Sequence, residues 1–410
     1  MIIPLLYTGI LLTPFLVWPG YDSRYPKEIL GLGLALSIAL SALSKGEFKP
    51  FKNHWILIFL LFSYLCILTA PMFNEFLLTY HHGNKIEIMA NRPIANIWMF
   101  KASYYFILYG IMMMAVASLE LNPRQIDRIL TVITLCGFLM AVYIFIQALN
   151  IDPLFQKISK ARNPDIGALD KPLIGGFMGQ ATLVATYISM LIPLALFLRR
   201  YVWVVCMVMA VAITGSKGAY LAVFAGALAY FFGSGRKYNA SIAIVLIAAA
   251  LCAATFLINR YKIYDKKSLA HYVIGESSGR IPEWIIMAKD FREPFEGRKR
   301  ALLGFGPGSL HYSHSVRNNS RFLQSHNDPF EFLINFGIAG FSIFLLSVAS
   351  LLKISRWRTV ERSRALLLCL LTLSITSLFT FSFQLAPNIF YASVMVGLLH
   401  NRSFVEGSIA

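Results

Sequence analysis

Three residues combine useful side-chain chemistry with distinctive surroundings. His326 stands in Ser-His-Asn-Asp-Pro-Phe-Glu, directly before an apolar run. Asp328 suits an N-cap, Pro329 the first helical position, and Glu331 completes a capping-box spacing. The imidazole is therefore expected at a helix N-terminus, whose positive end disfavours imidazolium. A neutral imidazole accepts a proton near pH 7; a surface histidine that merely flanks a cap is the competing reading. Arg280 lies in Ser-Ser-Gly-Arg-Ile-Pro-Glu-Trp, and arginine grips phosphate oxygens with a permanently charged planar fork. A solvated arginine, or a partner of Glu276 or Glu283, is the alternative there. Lys217, in Thr-Gly-Ser-Lys-Gly-Ala-Tyr, is the lone charge of a very short turn between apolar runs. Its flanking glycines suit a backbone that approaches a phosphate closely, although an interfacial lysine marking a helix end fits as well.

The elements that must position these groups are set by composition. Of 410 residues, 57% are hydrophobic and 14% charged, which excludes an ordinary soluble domain. The apolar runs are continuous rather than alternating, so they predict helices, and a run of about 20 such residues spans a bilayer. About twelve spans are expected, at roughly 2–18, 28–43, 54–72, 97–118, 126–149, 177–198, 201–214, 218–233, 240–258, 329–352, 364–383 and 386–400. The fold class is thus all-α, a polytopic membrane bundle. Residues 1–258 would form nine spans with short loops, 259–328 a large polar loop carrying the catalytic groups, and 329–410 three more spans with a short tail. The opening residues lack a basic n-region, so a cleaved signal peptide is not expected. Span interiors carry almost no ionisable residues, which argues against an ion-coupled pump.

Short connectors fix the orientation. Those holding Lys45/Lys49/Lys52, Arg124/Arg128, Arg199/Arg200, Arg236/Lys237 and Lys353–Arg364 alternate with connectors poor in Lys and Arg. The basic set faces the cytoplasm. The loops at about 73–96, 150–176 and 259–328, together with the 215–218 turn, then share the outer surface. A site there acts on something already across the membrane, which disfavours ATP or a nucleotide-sugar as donor. The +17 net charge reflects basic connectors and anionic lipid rather than nucleic acid. All five cysteines sit within apolar runs, as core residues do. Gly-Ser-Lys-Gly is not a P-loop, and Gly304, Gly306 and Gly308 shape a turn. His81 and His82 have no further ligand set, so no metal site and no cofactor are expected.

Three separated pieces, Thr214–Ala222, SGRIPEW with LLGFGPGS downstream, and Ser325–Gly340, occur in the order and context of the O-antigen ligase and polymerase superfamily. Gly175–Phe197 resembles that superfamily's segment after an outer loop. The resemblance covers roughly residues 170–345. It implies a GT-C-like fold in a bacterial inner membrane with a periplasmic active site. It also implies an undecaprenyl-diphosphate-linked glycan as donor and lipid A–core, or another lipid-linked glycan, as acceptor. The family's functional set maps by motif onto Lys217, Arg280 and His326, with Gln180, Asn327 and Arg321 as candidate substrate contacts. Three departures stand out. The short-turn cation is usually Arg but here is Lys217. A Glu of the following helix is replaced by Asn335, and the Gly-Asn-x-Asn element reads Gly179-Gln180-Ala181-Thr182. A metal-independent ligase is the leading expectation. A polymerase and, outside enzymes, a lipid-linked glycan flippase are its rivals.

Overall fold

The computed structural model describes residues 2–16, 24–44, 107–149, 151–152, 174–178, 180–234, 284–285, 298–304, 327–354, 361–380, 382 and 385–401. Among these residues the chain is helical, with no strand. It divides into two compact units, one of residues 1–49, 111–263 and 354–410, the other of residues 50–110 and 264–353.

The first unit holds α1 (Ile2–Phe15), α2 (Arg24–Ser44), most of α3 (Ile107–Ser118), α4 (Pro123–Ala148), α5 (Ala181–Phe197), α6 (Tyr201–Thr214), α7 (Lys217–Ser234), α10 (Glu361–Ser377) and α11 (Ala386–His400). The second holds α8 (Arg298–Leu303) and α9 (Asp328–Ile354). These bounds follow the expected spans closely. The expected spans at 54–72 and 240–258, and the first part of 97–118, lie outside the described residues. One boundary is corrected: the helix expected over 364–383 stops at Ser377, because Leu378–Thr380 turn away from it.

Length and surface both fit a bilayer. By length and composition, Lys27–Ser44 and Pro123–Ala148 are apolar enough to cross a membrane, and five shorter helices are apolar too. The 26 residues of α4 extend about 39 Å, more than the ~30 Å hydrocarbon core. The outward stripe of α2 is Ile29, Leu36, Leu40 and Leu43, all exposed. On α6 the outward stripe is Val202, Val205 and Met209. Apolar side chains on an outer face at helical spacing suit lipid as solvent.

Inside the first unit, several buried polar groups find partners in the same helix or in a neighbouring one. Thr13, Thr134, Thr186 and Thr372 each donate to the carbonyl four residues earlier, which removes a hydroxyl from apolar surroundings without a partner helix. Tyr187 donates to the Tyr391 hydroxyl at 3.1 Å, and Tyr391 donates to the Ile10 carbonyl at 2.6 Å. That relay ties α5, α11 and α1. Asn401 Nδ2 donates to the Leu119 carbonyl at 2.6 Å and the Val116 carbonyl at 3.2 Å, closing the end of α3. Asn122 and Gln125 form a full capping box at the start of α4. Arg362 meets Asp127 at 2.9 Å, so the basic connectors before α4 and α10 share one end.

The opposite end gathers the other termini. Residues 198–200 join α5 to α6, and Gly215–Ser216 joins α6 to α7. The three helices pack on one another, so the starts of α5 and α7 lie at the same end. The turn after α10 joins them there, where Phe379 packs on Gly218.

Candidate functional site

Lys217 is the first residue of α7. The turn before it is tight because Gly215 closes α6 in the left-handed conformation, φ 68° and ψ 14°, a region open to glycine at little cost. Ser216 then starts α7, its carbonyl accepting from the Tyr220 N–H at 3.1 Å. The Tyr220 hydroxyl reaches back to the Ala212 carbonyl at 2.6 Å and pins α7 to the last turn of α6. Gly218 has a different task from Gly215. A Cβ there would lie 2.8 Å from Phe379 Cβ and 3.1 Å from its ring, so the missing side chain admits Phe379 from the turn after α10. Both glycines therefore have a direct role in the fold. Lys217 itself is half-buried, with its Nζ below the surface. Its ammonium shares the α7 N-terminus with the N–H groups of the first helical turn, a place that favours negative charge.

Gln180 lies at the same end. It is the N-cap residue of α5, extended at φ −148° and ψ 135°, and its side chain makes no capping hydrogen bond. It is exposed, so its amide is presented outward from a helix start.

The turn leading to Gln180 is held by residues that sequence reasoning missed. Gln147, near the end of α4, is buried at 1% exposure. Its Oε1 accepts from the N–H groups of Gly175 at 3.0 Å and Gly176 at 2.7 Å. Its Nε2 donates to Asp152 Oδ2 at 2.8 Å, and Tyr143 donates to Asp152 Oδ1 at 2.7 Å. The amide orientation is set by these partners: an oxygen facing two N–H groups and a nitrogen facing a carboxylate. Gly176–Met178 forms a single 3₁₀ turn. Lys27, 2% exposed at the start of α2, donates to the Phe177 carbonyl. The Phe177 ring stacks on Tyr143 at 4.1 Å and meets Phe15 edge-on at 5.4 Å. A sequence signal existed, since Gln147 is an amide inside an apolar run, but nothing local named its partners.

In the second unit, α9 begins at Asp328. Asn327 Oδ1 accepts from the Phe330 N–H at 3.0 Å and the Asn327 carbonyl from the Glu331 N–H at 3.0 Å. The cap is thus Asn327, one residue before the expected Asp328, and Pro329 takes the second helical position. Both residues are good caps; the sequence alone did not choose between them. Asp328, Glu331 and Asn335 are buried on one face of the first two turns. Further along, α9 breaks at Gly337, φ 63° and ψ −165°. Gly304, at φ 76° after α8, packs its backbone into that break. Phe336 is buried beside it under Leu303, Phe332, Ala339 and Ile343.

Of the six residues expected at the site, Lys217, Gln180 and Asn327 are placed by the structure. Lys217 and Gln180 come to one end of the first unit, and Asn327 caps α9 in the second. Arg280, His326 and Arg321 lie outside the described residues. Among the described residues no group of His, Cys, Asp and Glu is arranged to hold a metal ion.

Residues 202–345, roughly a third of the chain, match the family model described as O-antigen ligase. The matched stretch contains all three motif pieces that carry the resemblance; Gly175–Phe197 lies before it. Among curated proteins none matches the chain.

Proposed function

We propose that this O-antigen ligase-like chain is a membrane glycosyltransferase that moves a glycan from undecaprenyl diphosphate to an acceptor sugar. The family match supports ligase- or polymerase-type membrane function. The finer reading is a ligase with lipid A–core as acceptor, in a GT-C-like bundle of about twelve spans within the bacterial inner membrane. The end carrying Lys217 and Gln180 faces the periplasm in this reading, as does the large loop of residues 259–328.

The observation that carries the proposal is the setting of Lys217. A lysine at a helix N-terminus has the wrong sign for the dipole. An anion bound at that place offsets the mismatch, and a diphosphate is an anion that meets a lysine and helix N–H groups together. In the proposed reaction an acceptor hydroxyl attacks the anomeric carbon of the donor. The carbon–oxygen bond to the diphosphate breaks, and its electron pair leaves with undecaprenyl diphosphate. The hydroxyl proton passes to His326. Arg280 and Lys217 stabilise the charge that grows on the leaving diphosphate. Gln180, Asn327 and Arg321 contact the sugars or orient the site, the Asn327 oxygen doing so from within the α9 cap.

The test is a reconstitution with purified protein, a lipid-linked glycan, and either lipid A–core or a second lipid-linked glycan. Glycan appearing on lipid A–core supports the ligase. Extension of the lipid-linked glycan alone replaces it with the polymerase. Transbilayer movement of the glycan with no covalent product would leave the flippase instead.

A further inference from the structure

The side chain of Gln147 touches both ends of the loop between α4 and α5. It donates to Asp152, at the start of that loop, and accepts from Gly175 and Gly176, at its end. The two ends are thereby tied to one buried amide. Beyond it the chain has little freedom. Gly176 takes φ 53°, and a Cβ there would sit 2.7 Å from Val184 Cγ2. The Phe177 carbonyl is held by Lys27, and its ring lies between Tyr143 and Phe15. Three residues after Phe177 comes Gln180, exposed and unused by its own helix cap.

We infer that Gln147 is a positioning residue. With Asp152 as its partner, it fixes the turn at 175–178 and so sets where Gln180 presents its amide to the donor glycan. The inference rests on the glycosyltransferase reading for the role of Gln180, and on geometry alone for the tie. The tie has a definite polarity. Gln147 must accept on one side and donate on the other, while Asp152 only accepts. The Gln147→Glu change keeps the acceptor for Gly175 and Gly176 but sets a second carboxylate against Asp152. Adding Asp152→Asn then supplies a donor toward the new carboxylate, while the amide oxygen at 152 still accepts from Tyr143. The Gln147→Glu and Asp152→Asn pair therefore conserves total charge and the four hydrogen bonds among Gln147, Asp152, Tyr143 and the Gly175–Gly176 backbone.

The experiment introduces Gln180→Cys into the full-length protein. It measures its rate of reaction with a membrane-impermeant maleimide in intact membranes, with the unsubstituted protein as background. Gln147→Ala and Gln147→Glu should each change that rate severalfold at unchanged protein level. Adding Asp152→Asn to Gln147→Glu should bring it back. An unchanged rate in Gln147→Ala, or no recovery in the double variant, overturns the tie. In the transfer assay, with Gln180 kept native, Gln147→Ala should raise the donor KM about three- to tenfold with kcat nearly unchanged, the size of one lost neutral hydrogen bond. Combining it with Gln180→Ala should cost no more than Gln180→Ala alone. Strictly additive losses overturn action through Gln180. Wild-type transfer by Gln180→Ala overturns the substrate contact while the labelling result still judges the tie.

Discussion

Gly304 and Gly337 meet backbone to backbone. A Cβ on Gly304 would lie 2.6 Å from the Asn335 carbonyl and the Gly337 nitrogen; one on Gly337 would lie 2.5 Å from the Gly304 nitrogen and the Leu302 oxygen. Both residues also hold positive φ. The contact joins the end of α8 to the break in α9. The two glycines come from different motif pieces, LLGFGPGS and the run ending in Gly340, so one contact explains a glycine in each.

Alanine at either glycine should therefore be costly. Positive φ alone costs a residue with a side chain about 1–3 kcal/mol, and the displaced backbone adds to it. Each single variant should lower the midpoint of thermal unfolding in detergent and reduce transfer. Because both break one contact, the double variant should lose clearly less than the sum. Wild-type stability of Gly304→Ala would show that the contact carries no weight.

At the start of α7, Gly218 and Phe379 make a pair that can be repaired. Gly218→Ala drives a methyl into Phe379 and should shift Lys217, lowering transfer. Phe379→Gly in the same protein should restore part of it, since it removes both the Cβ and the ring that the methyl would meet. Lys217→Ala should cost on the order of 10²–10³ in rate, the usual loss of one preorganised charge. Lys217→Arg should keep activity if charge rather than shape is required. Transfer measured at saturating donor checks all four variants, and an equal collapse of Lys217→Arg and Lys217→Ala would reject charge as the requirement.

Arg280→Ala and His326→Ala should each abolish glycan transfer while protein level and membrane insertion stay normal. The loss per residue is again on the order of 10²–10³ or more. Immunoblotting of membrane fractions alongside the product assay separates lost chemistry from lost protein. Near-normal turnover by an inserted Arg280→Ala protein would remove that arginine from the mechanism.

The cap of α9 gives a stability prediction. Asn327→Ala should cost about 1 kcal/mol, whereas Asn327→Ser should cost little, since serine caps well. Calorimetry or tryptophan fluorescence on unfolding reads the difference. Equal losses in the two variants would mean that Asn327 acts through something other than its cap.

Chelation supplies a last test. EDTA should leave turnover unchanged in the purified system, because Arg280 and Lys217 neutralise the leaving diphosphate in the proposed scheme. Activity lost to EDTA and regained with added magnesium would demand a metal.

The amino-acid sequence by itself determined the all-helical class and the positions of most helices. In lipid the backbone satisfies its polar groups only as helix or closed barrel, and apolar runs that are continuous rather than alternating select helix; Gly215 or the Asn122–Gln125 box mark ends through interactions within a few residues. It singled out Lys217 from its place in a short turn and Gln180 only through the family resemblance; both stand at helix starts. The motif pieces, taken together in their order and membrane context, led to the O-antigen ligase resemblance. The cap register of α9 was only half legible: Asn327 and Asp328 both have the right chemistry, and the choice depends on how the chain enters the helix. What only the tertiary structure decided are the long-range ties. Gln147 with Gly175, Lys27 with the Phe177 carbonyl, Gly304 with Gly337, and Tyr187 with Tyr391 and Ile10 join residues whose partners no spacing or periodicity encodes. Such contacts exist only once helices have packed, because their geometry is a property of the assembled bundle and not of any one segment.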